Sequence, residues 1–250
     1  MRRFVEWLPF FVTIAIPWVS EWDWPHRHYV NGLLVATVGL VMYIGFRHRS
    51  QTVEKSGIVA YEEPFEVDRT KEVLAECESE YRYYGISFAS VREQVLRWHE
   101  KHQHCKLRLL VADPDWAETL QFQARHELGF TGPEDRLTAE QKRIIDEHVE
   151  GSQARIRETL LEVRKLNRYA NRVEVRLHRE RLRIWMHLVD EHTVYLGVLR
   201  QKESGRQAPM LVLERKKKWS LFDHYAQEWD SMWDLSKEYP LESAASGAAK

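Results

Sequence analysis

At 250 residues and a formal net charge of −1 at pH 7, the chain has room for one sizeable folded domain and lacks the bulk charge of a nucleic-acid binder. Its two cysteines, Cys77 and Cys105, form neither a metal pair nor a disulfide framework, which suits a reducing compartment. Ten tryptophans are many for this length, and four of them, Trp7, Trp18, Trp22 and Trp24, crowd into the N-terminal segment.

That segment holds two apolar stretches. Residues 29–46, YVNGLLVATVGLVMYIGF, carry no charge and span about 27 Å as a helix, close to the thickness of a bilayer core. Residues 4–20, FVEWLPFFVTIAIPWVS, include Glu6, Pro9 and Pro17, which membrane helices tolerate near headgroups and within bundles. We expect two transmembrane helices in a hairpin over 1–50. Arg2 and Arg3 precede the first span and Arg47 and Arg49 follow the second, which puts both ends in the cytoplasm of an inner (plasma) membrane protein. Trp7, Trp18, Trp22, Trp24, Tyr29 and Tyr43 are the expected interfacial anchors. A cleaved secretory signal is the rival reading, but no small-x-small cleavage site precedes the acidic, Trp-rich connector 21–28.

Residues 51–66, with Gly57 and Pro64, read as a linker to a cytoplasmic domain over 67–240. There an amphipathic helix from about Val67 to Tyr81 leads into the strand-like YRYYGISFAS, and Ser90 is placed to cap the helix VREQVLRWHEKH. KLRLLVADPD follows as a buried strand, so strand, helix and strand favour a parallel pair. A helix from Trp116 to about Leu128 comes next. Thr138 and Gln141 then form a capping box for a long helical tract to about Ala170, interrupted or kinked near Gly151-Ser152. Four strand-like runs succeed it: RVEVRLH, RLRIWMHLVD, HTVYLGVL and APMLVLER, with a hairpin turn at Asp190-Glu191-His192. The last helix, KWSLFDHYAQEWDSMWDLS, aligns Phe222, Tyr225, Trp229, Met232 and Trp233 on one stripe suited to packing on a sheet. Residues 241–250 are small and polar and read as a disordered tail.

RLRIWMHLVDEHTVYLG, with YYGIS and KLRLLVADPD upstream, resembles the phospholipase D-like superfamily over roughly residues 75–236. The resemblance implies an α/β fold, a mixed sheet with helices on both faces. In that family a histidine, a lysine two residues later and an aspartate five residues beyond lie on a strand before a hairpin and Gly-Ser. The histidine attacks phosphorus, the lysine binds a phosphoryl oxygen, and the aspartate orients a histidine. Alignment on the hairpin puts Asp190 at the aspartate and Gly197 at the glycine. It puts Arg183 at the nucleophile, Trp185 at the lysine, and Val198-Leu199-Arg200 where the family has Ser-x-Asn. Arginine is no nucleophile, so the family mechanism is not expected. His187 and Asp190 are the weak catalytic candidates, and strand alternation sets 183, 185 and 187 on the face opposite Asp190.

Phosphate binding survives the loss of the nucleophile. Arg183 offers a planar fork of donors, and Ser87 and Ser90 lie in a strand-to-helix turn suited to an anion; with Asp190 they are the expected contacts of a nucleotide-like or phosphodiester ligand. No metal or other cofactor is expected, because His99, His102, His104 and Cys105 lack the carboxylate or second cysteine of a recognisable site. The basic run Arg215-Lys216-Lys217-Lys218 suits either a solvated strand end or anionic lipid.

The layout, a two-helix hairpin before a domain with a degenerate phosphodiester motif, resembles bacterial anti-phage effectors that disrupt the inner membrane in abortive infection. It implies a non-catalytic sensor or effector, a membrane toxin under control of its domain, with the membrane, a homo-oligomer or a cytoplasmic protein as partner. The alternatives are a membrane-bound phosphodiesterase, phospholipase or nuclease, and a scaffold that recruits a protein to the membrane.

Overall fold

The computed structural model describes residues 56–62, 67–166, 172–199, 201–202, 208–216 and 220–241, all within the unit that begins at Ser56. The expected spans at 4–20 and 29–46, with Trp7, Trp18, Trp22, Trp24, Tyr29 and Tyr43, lie outside the described residues. Among the described residues no helix is long and apolar enough to cross a membrane.

Among the described residues the elements run in the order β1 (Ile58–Glu62), α1 (Val67–Ala75), β2 (Glu80–Gly85), α2 (Arg92–Lys101), β3 (Lys106–Ala112), α3 (Ala117–Leu128), a 3-10 turn (Glu134–Arg136), α4 (Ala139–Leu166), β4 (Val173–His178), β5 (Ile184–Val189), β6 (Thr193–Val198), β7 (Met210–Glu214), α5 (Leu221–Leu235) and β8 (Lys237–Glu238). The strands form one mixed sheet in the order β1-β7-β6-β5-β2-β3-β4-β8. Strands β2, β3 and β4 run parallel, and the remaining pairs are antiparallel.

Strand alternation sorts the residues of the parallel core onto two faces. Tyr81 and Tyr83 of β2 turn toward α2, where Tyr81 meets Trp98 at 6.2 Å between ring centroids. Glu80, Arg82, Arg108 and Arg176 turn to the other face, which α5 covers. There Trp229 and Trp233 stack at 4.9 Å, Arg82 lies 5.1 Å over Trp229, and Arg108 and Arg176 lie 5.6 and 4.9 Å from Trp233. Helices therefore cover both faces, and the aromatic stripe of α5 is core: Phe222, Trp229 and Trp233 are buried, with Tyr225 and Met232 packed against them. Ser220 starts α5 with a capping box in which Asp223 accepts from the Ser220 amide at 2.9 Å.

The structure corrects several local expectations. Residues 58–62 are not linker but strand β1, which pairs with β7, and Leu241 is buried rather than part of a tail. Helix α1 stops at Ala75, because Glu80 and Tyr81 are drawn into the sheet by β3 and β5. Helix α4 passes through Gly151-Ser152 without a break: Ile145, Val149, Ser152, Ile156, Leu160 and Val163 keep one buried stripe, and continuous packing outweighs the roughly 1 kcal/mol that an interior glycine costs. Its start is the capping box expected, with Thr138 N donating to Gln141 Oε1 at 2.9 Å and Gln141 N to Thr138 Oγ1 at 3.2 Å. Ser90 caps nothing; Val91 occupies the N-cap of α2 without a side-chain bond.

Asp190 is the hinge pin of the β5–β6 hairpin. It sits at the turn with φ 51°, and its carboxylate accepts from the amides of Glu78, Ser79 and Glu80 at 3.0, 2.7 and 2.8 Å and from Ser79 Oγ at 2.5 Å. Burial by itself raises the pKa of this carboxyl, but the converging donors outweigh it and hold the group below the ordinary carboxylate range. Asp190→Asn keeps a residue that tolerates the left-handed turn but removes the charge those donors need. It should cost about 2–3 kcal/mol, read as a lower denaturant midpoint at neutral pH.

Candidate functional site

The parallel strands end on one side of the sheet, where connecting loops and helix N-termini gather, the usual place for a ligand in such folds. A cavity of about 550 Å³ opens there, lined by Thr70 of α1, Tyr83, the loop 86–91, Gln123 and Glu127 of α3, His148, Ser152 and Arg155 of α4, and Leu182, Trp185, His187 and Leu199. Its size is that of a small-molecule site.

Helix α4 fixes the loop that forms one wall. Thr159 Oγ1 donates to the Ser87 carbonyl at 2.8 Å, and Gln153 Nε2 donates to the Pro114 carbonyl at 2.9 Å, so the ends of β2 and β3 are tied to one helix. Within the loop Phe88 is fully buried at φ 59°, a conformation that a bulky residue adopts at a cost. It is held there by an edge contact with Tyr83, 4.8 Å between centroids, and by its amide donating to the Tyr83 hydroxyl at 3.3 Å. This bent loop brings Ser87 and Ser90 to the cavity beside the start of α2.

The floor is aromatic. Trp185 faces Gly197 across the β5–β6 pair, and its indole occupies the space that a Cβ at position 197 would need. His187, 3% exposed, is boxed by Tyr81, Tyr83 and Trp185 at centroid distances of 5.7, 5.2 and 5.1 Å, and its Nδ1 is hydrogen-bonded to the Tyr81 hydroxyl. Burial lowers its pKa to about 3, so the ring is neutral at physiological pH.

The opposite wall is polar. Glu127 joins two partners: its Oε1 accepts from Gln123 Nε2 at 2.9 Å, and its Oε2 lies 2.9 Å from His148 Nε2. One and two turns further along α4, Ser152 Oγ accepts from Arg155 at 2.9 Å, and Arg155 is itself exposed. The exposed Arg155 guanidinium, the hydrogen-bonded run His148–Glu127–Gln123 and the buried Thr70 all line the same cavity.

Of the residues expected from sequence, Ser87, Ser90 and His187 line this cavity, whereas Arg183 and Asp190 do not. Arg183 is exposed at the bend before β5, where the peptide has left the strand and alternation no longer governs its side chain. Asp190 spends its carboxylate on the hairpin anchor, just past the end of β5 and beside the start of β2. Arg155, not Arg183, is the arginine that lines the cavity. Gln123 and Glu127 at i and i+4, and His148, Ser152 and Arg155 at i, i+4 and i+7, each share a helix face, and that polar periodicity was the available signal for them. His99, Trp98 and His102 belong elsewhere: His102 stacks on Trp98 at 5.5 Å and bonds its carbonyl, and among the described residues no cluster is arranged to hold a metal ion.

No protein-family model and no curated protein matches the chain. Among solved structures it is similar to Nuc from Salmonella typhimurium, a phospholipase D family member, with a TM-score of 0.38 and 9% identity over 68% of this chain and 88% of that one. It is also similar to TrmBL2, an archaeal chromatin protein whose structure shows a novel mode of DNA binding, with a TM-score of 0.40 and 12% identity over 86% and 71%.

Two outcomes follow from this geometry. Gly197→Ala forces the Trp185 indole off its seat and should destabilise the chain by about 1–3 kcal/mol, with a change in tryptophan fluorescence that reports the displaced ring. His187, at about 3, and His178, which burial lowers to about 4, stay neutral in the fold while the unfolded chain protonates near 6.5. The unfolded state thus binds more protons below pH 6.5, and the contribution of these two histidines to stability falls by about 2 kcal/mol per pH unit on going from 6 toward 4. Thermal unfolding across that range should show the loss, and His178→Gln with His187→Gln should flatten the slope.

Proposed function

We propose that the domain is a non-catalytic receptor for a small anionic ligand, and that it governs the apolar N-terminal segments to which it is joined. The observation that carries this reading is the cavity itself: a guanidinium in its exposed lining, seryl hydroxyls and the start of α2 along one wall, and a closed aromatic floor where phosphodiester chemistry would need a nucleophile. His187 is buried, neutral and bonded to Tyr81, and Trp185 fills the position that the family resemblance assigns to a lysine. A guanidinium and hydroxyl donors bind phosphate without attacking it.

Joined to two membrane spans, such a receptor fits a sensor or effector that acts on the inner membrane once its ligand appears, the layout of an anti-phage device. An enzyme of the phospholipase D-like class is the reading that the floor disfavours, and a scaffold leaves the cavity without a purpose.

The test uses the full chain in detergent micelles. Inorganic phosphate should bind and raise the unfolding temperature, and Arg155→Ala should weaken that binding at least tenfold while Arg183→Ala leaves it unchanged. A generic phosphodiester, bis(p-nitrophenyl) phosphate, should not be turned over. Hydrolysis that disappears in His187→Gln would overturn the reading in favour of an enzyme. In bacteria, collapse of membrane potential on expression of the wild-type chain but not of Arg155→Ala would connect the cavity to the membrane.

A further inference from the structure

Two buried polar atoms in the cavity lining have no partner among the described residues. Thr70 is fully buried and Gln123 is 4% exposed, both line the cavity, and Thr70 Oγ1 and Gln123 Oε1 have no hydrogen-bond partner among the described residues. A buried polar atom without a partner costs stability, so two in one cavity are expensive unless something else bonds them. The polarity of Gln123 is set by its neighbour: its Nε2 donates to Glu127, which leaves the carbonyl oxygen as the free end. That oxygen accepts and never donates. Thr70 Oγ1 either accepts or donates.

The exposed and the buried parts of the lining therefore ask for opposite groups. The exposed Arg155 supplies donors and positive charge, whereas the buried Gln123 requires an N–H or O–H donor from the ligand. Trp185 also lines the cavity and offers it a flat apolar surface. Resting on the receptor reading above, we propose that the ligand is a phosphorylated molecule of nucleotide type, its phosphate at Arg155 and an amino or hydroxyl group buried against Gln123 Oε1 and Thr70 Oγ1. A cavity of about 550 Å³ accommodates a molecule of that size. A bare phosphate ion satisfies Arg155 and leaves the buried atoms unbonded.

Adenosine 5′-monophosphate and inorganic phosphate serve as probes, titrated against the full chain in micelles, with Thr70→Val and Gln123→Met as variants. Adenosine 5′-monophosphate should bind at least tenfold more tightly than phosphate. Each variant should cut that advantage about tenfold and leave phosphate affinity unchanged. Thr70→Val removes an unpartnered hydroxyl without changing shape, so it should also raise the unfolding temperature of the ligand-free chain by about 2–4 °C. That combination, a more stable protein that binds less well, is not produced by a threonine that merely supports the fold. Phosphate binding at Arg155 with no preference for the nucleotide, or nucleotide binding indifferent to both variants, overturns the assignment while sparing the receptor reading. Failure of both probes to bind overturns both.

Discussion

The carboxylate of Asp190 is the constraint on which the rest of the arrangement depends. Three consecutive amides and a hydroxyl at the start of β2 converge on it, so the tip of the β5–β6 hairpin is locked to the entrance of the parallel strands. A β-strand slipped by one residue shows its other face, and this anchor forbids the slip. With the register held, His187 lies opposite Tyr83 and Val189 opposite Tyr81, while Trp185 and Gly197 face each other across the next pair. The aromatic floor of the cavity is a consequence of that register.

A second set of ties builds the walls. Helix α4 reaches across the ends of β2 and β3 and hydrogen-bonds the carbonyls of Ser87 and Pro114, and Thr119 of α3 donates to the carbonyl of Arg179 after β4 at 2.6 Å. The loops at the ligand side of the sheet are thus held by the two helices that also carry Gln123, Glu127, His148 and Arg155. The strained Phe88 belongs to the same construction, since burial of its ring against Tyr83 compensates a backbone that a bulky residue otherwise avoids. The same ties set a neutral histidine in an aromatic box beside a cavity with an arginine in its exposed lining.

Much of the architecture could be read from the chain. The alternating apolar residues of β2, β3 and β4, the Thr138–Gln141 capping box, the turn at 190–192 and the aromatic stripe of α5 are local signals, and each stands where its period or its cap put it. Strand β1 was hidden because its five residues are short and half-exposed, and only β7 gives them a partner. The expected kink at Gly151 reflects a true local weakness that packing along the whole of α4 overrides. The site was legible in part: Ser87, Ser90 and His187 come from loop chemistry and a strand motif. Arg155 and Gln123 were not, because they lie on helices that reach the cavity only when the chain is folded.

Sequence alone determined most of the elements of the domain and their order, because periodicity, capping and residue identity are local properties. Tertiary structure decided which charges meet. It turned Asp190 from a candidate ligand contact into a hairpin anchor, left Arg183 in solvent, and put Arg155 in the cavity lining. The reason is physical: a hydrogen-bonded turn consumes a carboxylate that sequence can only name, and the side chains that share a cavity are chosen by how helices pack on a sheet, not by their separation along the chain.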